Sequence, residues 1–151
     1  MKKLFFALFL VMGMAVQAQE LTWHTDVKKA VDIANKSKKP LMLFFTGSDW
    51  CGWCIRLQKE VFKTPEFEKW AKDNVVLVEL DFPRRKQLEP ELAKQNMELQ
   101  QTFQIMGYPT IWFVKGSKKG GQVHFDKLGS TGYLAGGPSP WLDNANKIIK
   151  Q

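Results

Sequence analysis

A run of five apolar residues, 41–45, constrains the fold more than any other part of this sequence. Pro40 precedes the run and Gly47 closely follows it, so the segment is short and bounded by residues that interrupt regular structure. A strand that is apolar at every position is typical of a sheet that helices cover on both faces. The sequence therefore predicts an α/β protein built on a central sheet.

Hydrophobic periodicity predicts the elements around this strand. A helix capped by Thr25 or Asp26 comes first, and a helix over 90–103 is expected to bury Leu92, Met97 and Leu99. The predicted order is a helix over 26–38, the strand over 41–45, a helix from the cysteine pair to about 63, a short helical segment from 64, a strand over 75–82, the helix over 90–103, strands over 111–114 and 122–125, and a last helix after Pro140. Strand–helix–strand units imply parallel pairing and the late hairpin implies an antiparallel edge, which together predict a central mixed sheet with helices on both faces.

The N-terminus has the pattern of a secretory signal peptide. Lys2 and Lys3 precede an almost unbroken apolar run over residues 4–16, and Val16 and Ala18 occupy the positions that a signal peptidase reads. The run is shorter than the roughly 18–20 residues that span a bilayer, so an uncleaved anchor is the less favoured alternative. We expect residues 1–18 to be removed after Ala18 and residues 19–151 to form one domain of an exported protein.

The chain has only two cysteines, Cys51 and Cys54, and their spacing favours chemistry over structure. Cysteines of exported proteins usually form stabilising disulfides, but a bridge across two intervening residues closes a very small loop and constrains the unfolded chain little. Two alternatives are a purely structural bridge and half of a zinc site. Structural zinc takes four ligands, and His24 and His124 are single residues far apart, so we expect neither a metal nor another cofactor.

The position of the pair is more informative than its spacing, because it follows a buried strand and begins a helix. Helix N-termini carry unpaired N–H groups and partial positive charge, which stabilise a thiolate. Cys51 is expected to attack a substrate disulfide, and Cys54, one helical turn further in, to displace the substrate and form the Cys51–Cys54 disulfide.

Pro109 comes just before a predicted strand, where either a cis proline in a tight turn or an ordinary trans proline is possible.

Two segments resemble a known family. Residues 50–54, Trp-Cys-Gly-Trp-Cys, and 108–110, Tyr-Pro-Thr, are similar to the active-site motif and cis-proline loop of thioredoxins. The longer run 45–54, with Asp-Phe-Pro at 81–83, resembles the exported DsbH-like thioredoxin proteins of bacteria. The resemblance implies the thioredoxin fold, a periplasmic disulfide oxidoreductase, and substrate docking beside the sulfurs at Tyr108 and Pro109. We expect Trp50 and Trp53 to take part in docking, although Trp53 could instead pack on Trp50 or on the Gly-rich segment 128–138.

The sequence also departs from thioredoxin at three positions. Thioredoxin has a buried Asp six residues before its first cysteine, where this chain has Phe45. By element alignment Glu79 replaces a thioredoxin Lys, and we hypothesise that Glu79 is the proton acceptor for Cys54; the alternative is a strand-end Glu paired with a basic side chain. Trp53 stands where oxidising relatives often have His, so we expect a potential on the reducing side, nearer the roughly −270 mV of thioredoxin than the roughly −120 mV of DsbA.

These observations predict a thiol–disulfide oxidoreductase, most simply a reductase of disulfide-containing proteins that receives electrons from a membrane-bound donor. An isomerase or oxidase on the same site is the alternative, followed by a non-enzymatic binding module. Isomerases usually dimerise, and no dimerisation domain is evident, so a monomer is expected. The net charge is +7, but the basic groups flank turns as solvated surface does, and nucleic-acid binding is not expected.

Overall fold

A computed structural model describes residues 21–151, so the predicted signal peptide lies outside the described residues. The elements are β1 (Trp23–His24), α1 (Val27–Ser37), β2 (Leu41–Thr46), α2 (Gly52–Leu57), α3 (Pro65–Asn74), β3 (Val76–Asp81), α4 (Pro90–Thr102), β4 (Thr110–Lys119), β5 (Gln122–Thr131) and α5 (Pro138–Ile149). Helix α2 continues into a π-helical turn, Gln58–Phe62. The structure agrees with the predicted order and adds β1, which is too short to leave a periodic pattern.

The strands form one five-stranded sheet in the order β1-β3-β2-β4-β5. Strand β3 pairs in parallel with β1 and β2, whereas β4 pairs antiparallel with β2 and β5. The mixed sheet predicted from the order of elements is therefore confirmed. Strand β5 extends six residues beyond the predicted hairpin arm because it follows β4 across a register shift at Phe113/Val114.

Helices cover both faces of the sheet, and alternate residues of β2 pack on opposite sides. Met42 and Phe44 join the buried cluster that contains both cysteines together with residues of α2, α3 and α5. Leu43 and Phe45 join the cluster that contains residues of α1 and α4. We refer to the first side as the cysteine face and to the second as the opposite face.

Local signals explain where several helices begin. Asp26 caps α1 by accepting hydrogen bonds from the backbone N–H groups of Lys28 and Lys29, and Thr64 caps α3 before Pro65.

The expected burial of Met97 in α4 is wrong, since this residue is 56% exposed. The buried positions of α4 are Asn96 and Leu99, three residues apart on one helix face, which turns Met97 toward solvent.

No helix within residues 21–151 is both long enough and apolar enough to cross a membrane.

Candidate redox site

Cys51 and Cys54 form a disulfide at the start of α2. Cys51 is the N-cap residue of the helix: its backbone N–H donates to the Gly47 carbonyl at 2.9 Å, and its Sγ lies 3.2 Å from the Cys54 backbone N. The turn after β2 therefore fixes the first cysteine, and the helix fixes the second. Cys51 is 6% exposed and Cys54 is fully buried, so the first cysteine is the more accessible of the two.

The Tyr108–Pro109 peptide bond is cis, which decides between the two conformations left open by the sequence. The Tyr108 ring lies edge-on to Trp50, with centroids 5.8 Å apart, and its hydroxyl accepts a hydrogen bond from Gln100 Nε2 at 2.7 Å. Partial burial raises the pKa of the Tyr108 hydroxyl. These contacts bring the proline loop together with the residue that precedes Cys51.

Contacts with the loop after β3 hold the Trp50 side chain in place on one side of the site. Its indole Nε1 donates to the Phe82 carbonyl at 2.8 Å, and the Arg84 guanidinium carbon lies 3.7 Å from its ring centroid. Asp49 strengthens this junction by accepting hydrogen bonds from the backbone N–H groups of Arg84 and Arg85. Nothing in the local sequence pattern indicated this contact, because the partners are more than 30 residues apart.

Trp53 lies on the other side of the disulfide and is 55% exposed. Its ring packs on Tyr133 with centroids 5.1 Å apart, and the Arg56 guanidinium carbon lies 5.4 Å from its ring centroid. Glu60 accepts hydrogen bonds from Arg56 Nε at 2.7 Å and from the Tyr133 hydroxyl. The hydrogen bond from Tyr133, followed by the one from Arg56, lowers the pKa of the Glu60 carboxyl. Trp53 thus contacts the Gly-rich segment while most of its surface stays free.

The Gly-rich segment, whose role the sequence left open, lies against the proline loop. A side chain at Gly132 would place its Cβ 3.3 Å from the Pro109 carbonyl oxygen. The Gly132 carbonyl accepts a hydrogen bond from Trp141 Nε1 at 3.1 Å, which ties the segment to α5. A small residue is needed here because two backbone segments approach closely.

Phe45 and Glu79 lie on different faces of the sheet. Phe45 packs on Phe82 and Phe103 on the opposite face, so the position six residues before Cys51 points away from the cysteine cluster. Glu79 pairs in register with Phe44, a residue of the cysteine face, and alternation along β3 puts both on the same side. Burial raises the pKa of the Glu79 carboxyl, the nearby Asp81 raises it further, and Lys86 lowers it.

Two more polar residues on this face were missed by the sequence reasoning. Asp81 accepts hydrogen bonds from the Ser48 backbone N–H at 2.8 Å and the Ser48 hydroxyl at 2.5 Å, and it pairs with Lys86 at 3.2 Å. Thr46, its register partner on β2, is fully buried, and its hydroxyl has no hydrogen-bond partner among residues 21–151. Buried hydroxyl groups without a hydrogen-bond partner are rare. The sequence could not indicate this one, because its surroundings form only when the strands and helices pack together.

The described part of the chain contains no cluster of three or more His, Cys, Asp or Glu side chains placed to hold a metal ion.

Comparisons with known proteins agree with this geometry. A family model described as a thioredoxin-like domain matches residues 27–131. The Chlamydia pneumoniae protein named disulfide bond reductase DsbH is 30% identical over 135 residues, covering 89% of this chain and 76% of that protein. Thioredoxin-related protein DsbJ of the same organism is 32% identical over 94 residues, which are 62% of this chain and 27% of that protein.

A solved structure titled DsbH oxidoreductase has a TM-score of 0.77 to this chain. It is 28% identical, and the match covers 93% of this chain and 92% of that one. The thioredoxin fold predicted from the sequence is thereby confirmed.

Proposed function

The chain belongs to the thioredoxin-like family and is a thiol–disulfide oxidoreductase, and we propose that it works in the reducing direction, as a disulfide reductase. The observation that carries the redox chemistry is the disulfide at the start of α2, in which Cys51 is slightly exposed and Cys54 is fully buried. The reducing direction is argued from the residues between the cysteines and from a relative. Gly52 and Trp53 separate the cysteines, so no imidazole lies between them to stabilise a thiolate. The name of the DsbH relative, a disulfide bond reductase, supports the same direction.

The proposed reaction begins with the reduced dithiol. The Cys51 thiolate attacks one sulfur of a substrate disulfide, the substrate S–S bond breaks, and the released substrate thiolate takes a proton. Cys54 then loses its proton and attacks Cys51 Sγ, the mixed disulfide bond breaks, and the second substrate sulfur leaves as a thiolate that takes a proton. The substrate gains two electrons and two protons, and the protein is left with the Cys51–Cys54 disulfide.

The buried second cysteine requires a proton acceptor inside the protein, and we assign this role to Glu79. Its carboxyl lies on the cysteine face, and burial raises its pKa, which makes the carboxylate a stronger base. No Asp is available at the position six residues before Cys51, since Phe45 occupies it and faces away.

Substrate docking is assigned to the residues that surround Cys51. The backbone beside the cis Tyr108–Pro109 bond would pair with an extended substrate segment, and Trp50 and Trp53 would border that segment on either side. Trp53 has the larger free surface and would contribute most of the apolar contact.

We also propose that the protein acts outside the cytoplasm, in the periplasm, as a monomer after removal of residues 1–18. The disulfide left by each turnover must be reduced again, so a membrane-bound dithiol donor is the expected partner. The intact mass of the exported protein tests the cut after Ala18, and sedimentation tests the oligomeric state.

The direction of the reaction can be tested by the equilibrium potential of the cysteine pair in glutathione buffers. We expect a value near the roughly −270 mV of thioredoxin. A value above roughly −180 mV would instead indicate an oxidase or isomerase.

The assignment of the two cysteines can be tested with a disulfide-linked protein substrate such as insulin. Cys51→Ser should abolish reduction, whereas Cys54→Ser should accumulate a mixed disulfide through Cys51 that separates under reducing conditions. Reduction at the normal rate by Cys51→Ser would rule out the proposed mechanism.

A further inference from the structure

The loop between β3 and α4 presents three consecutive basic residues, Arg84, Arg85 and Lys86, all of which are exposed. We call these three residues the basic loop. The proposed reaction makes no use of them, and their sequence alone was compatible with ordinary solvated surface. Their placement in the fold is more specific than that.

The basic loop is fixed to the segment that carries the disulfide. The two carboxylate oxygens of Asp49 accept the backbone N–H groups of Arg84 at 2.9 Å and Arg85 at 2.7 Å. These hydrogen bonds, led by the one from Arg84, lower the pKa of the Asp49 carboxyl. Asp49 lies two residues before Cys51, so the basic loop and the attacking sulfur keep a fixed relation.

The charges of the loop are only partly neutralised. Lys86 pairs with Asp81, whereas the side chains of Arg84 and Arg85 make no ion pair within residues 21–151. Arg84 lies over the Trp50 ring, which covers one face of its guanidinium. A guanidinium held in this way keeps its N–H edges available for a carboxylate, which it can bind through two hydrogen bonds.

The two sides of the site therefore differ in how their arginines are paired. On the Trp53 side, Arg56 is paired with Glu60, and Lys59 also acts on that carboxyl. On the Trp50 side, the guanidinium groups of Arg84 and Arg85 have no carboxylate partner within residues 21–151, because Asp49 binds the backbone of the loop and Asp81 pairs with Lys86. A substrate segment that docks beside Trp50 therefore meets two arginines whose charges are not paired.

We propose that the basic loop selects protein substrates that carry acidic residues beside the disulfide cysteine attacked by Cys51. This inference rests on the proposed function and names the class of substrate that the site takes. A carboxylate in the segment docked next to Trp50 pairs with the free edge of Arg84, and Arg85 strengthens the attraction during encounter.

The test uses two synthetic peptide disulfides that differ only in having Glu or Lys on both sides of one cysteine. Stopped-flow measurement gives the rate constant for each peptide with the reduced protein. At low salt we expect the Glu peptide to react about tenfold faster, in the range of electrostatic steering, and the difference to shrink as salt screens the charges.

Single substitutions distinguish an effect of the basic loop from an effect of the protein's overall charge. Arg84→Gln and Arg85→Gln should each lower the ratio of the two rate constants, and Arg85→Glu should bring it to one or below. Lys119→Gln is the matched control, because this exposed residue ends β4 nine residues from Thr110, about 30 Å along the strand. It should leave the ratio unchanged.

The outcomes distinguish the inference from the function on which it rests. Equal rates for the two peptides, or a preference for Glu that survives Arg84→Gln and Arg85→Glu, would overturn the selection of acidic segments and leave the reductase intact. Failure of the reduced wild-type protein to react with either peptide would overturn the reductase, and the inference with it.

Discussion

At the scale of single residues, polar groups of β2 and β3 lie on the same side of the sheet as the second cysteine. Cys54 is fully buried, and the neighbouring strands place Glu79, Asp81 and Thr46 on its side of the sheet. The Asp81 carboxylate accepts a hydrogen bond from Ser48 and pairs with Lys86. The Thr46 hydroxyl has no hydrogen-bond partner within residues 21–151. The half-buried Glu79 is thus the carboxyl to which we assign the proton of Cys54.

Replacing Glu79 with Gln should slow the release of substrate from the mixed disulfide around neutral pH. Loss of a general base typically costs about 10²-fold or more, and the slow variant should lose the pH-dependent rise shown by the wild type. Single-turnover rates measured from pH 5 to 9 provide the test, with Glu79→Asp as the variant that retains a carboxyl. Wild-type rates in Glu79→Gln across this range would remove Glu79 from the mechanism.

The raised pKa of Glu79 also has a consequence for stability. Above the ordinary glutamate pKa of about 4.3, the unfolded chain releases this proton while the folded protein still holds it. The contribution of Glu79 to the free energy of unfolding therefore falls as pH rises through the interval up to the raised pKa. Urea unfolding at pH 5 and pH 8 should show Glu79→Gln gaining stability relative to wild type at the higher pH.

Thr46→Val should stabilise the oxidised protein by about 1 kcal/mol, because it replaces a buried hydroxyl without a partner by a methyl group of similar shape. Thr46→Ser keeps the hydroxyl and loses the methyl, and it should be less stable than wild type. Urea denaturation of both variants supplies the measurement. A loss of about 1 kcal/mol in Thr46→Val would mean that the hydroxyl makes a hydrogen bond after all.

At the scale of elements, strand β4 contributes side chains to both faces of the sheet. It also passes close to α1. Gly116 is buried where β4 passes Val31 of α1 and Leu41 of β2. A Cβ at this position would lie 2.7 Å from Val31 Cγ2 and 3.2 Å from Leu41 Cδ1. The spacing between helix and strand therefore requires a residue without a side chain.

Gly116→Ala should lower the free energy of unfolding by about 1–3 kcal/mol, the usual cost of overpacking a core. Combining it with Val31→Ala should recover part of that loss, since the smaller side chain makes room for the new methyl group. Gly107→Ala is the matched control, because its Cβ would meet no atom within 4 Å. Additive losses in the double variant would contradict a direct clash between α1 and β4.

At the scale of the whole molecule, one buried aromatic group joins the core to the redox site. Trp141 of α5 is fully buried among Phe62, Phe67 and Trp70, with ring centroids 5.2–6.1 Å away. Its indole N–H also binds the Gly132 carbonyl next to the proline loop. The last helix therefore supports the Gly-rich segment beside the site as well as the packing of the π-helical turn and α3.

Trp141→Ala should cost about 3–5 kcal/mol, as large-to-small changes of buried aromatic residues do. Trp141→Phe retains most of the packing and loses the hydrogen bond to Gly132, so a smaller loss is expected. Thermal or urea unfolding measures both. A change below 1 kcal/mol in Trp141→Ala would show that the cluster does not depend on this ring.

The fold was largely predictable because its signals are local. An apolar run with Pro and Gly at its ends indicated the central strand, Asp26 and Thr64 indicated helix starts, and the order of elements implied a mixed sheet. The cysteine pair and its place before a helix were equally visible. The exposure of Met97 was not, because helix phase is set by contacts of the whole face.

By itself, then, the sequence determined the layered α/β class, the order of strands and helices from α1 onward, and the position of the disulfide, since these depend on neighbours in the chain. Only the tertiary structure decided which polar groups lie near that disulfide. Phe45 lies on the opposite face while Glu79 lies on the cysteine face, Tyr133 packs on Trp53, and Arg84 lies over Trp50. Contacts across many residues of chain depend on strand register and on how helices pack, and no local pattern encodes either.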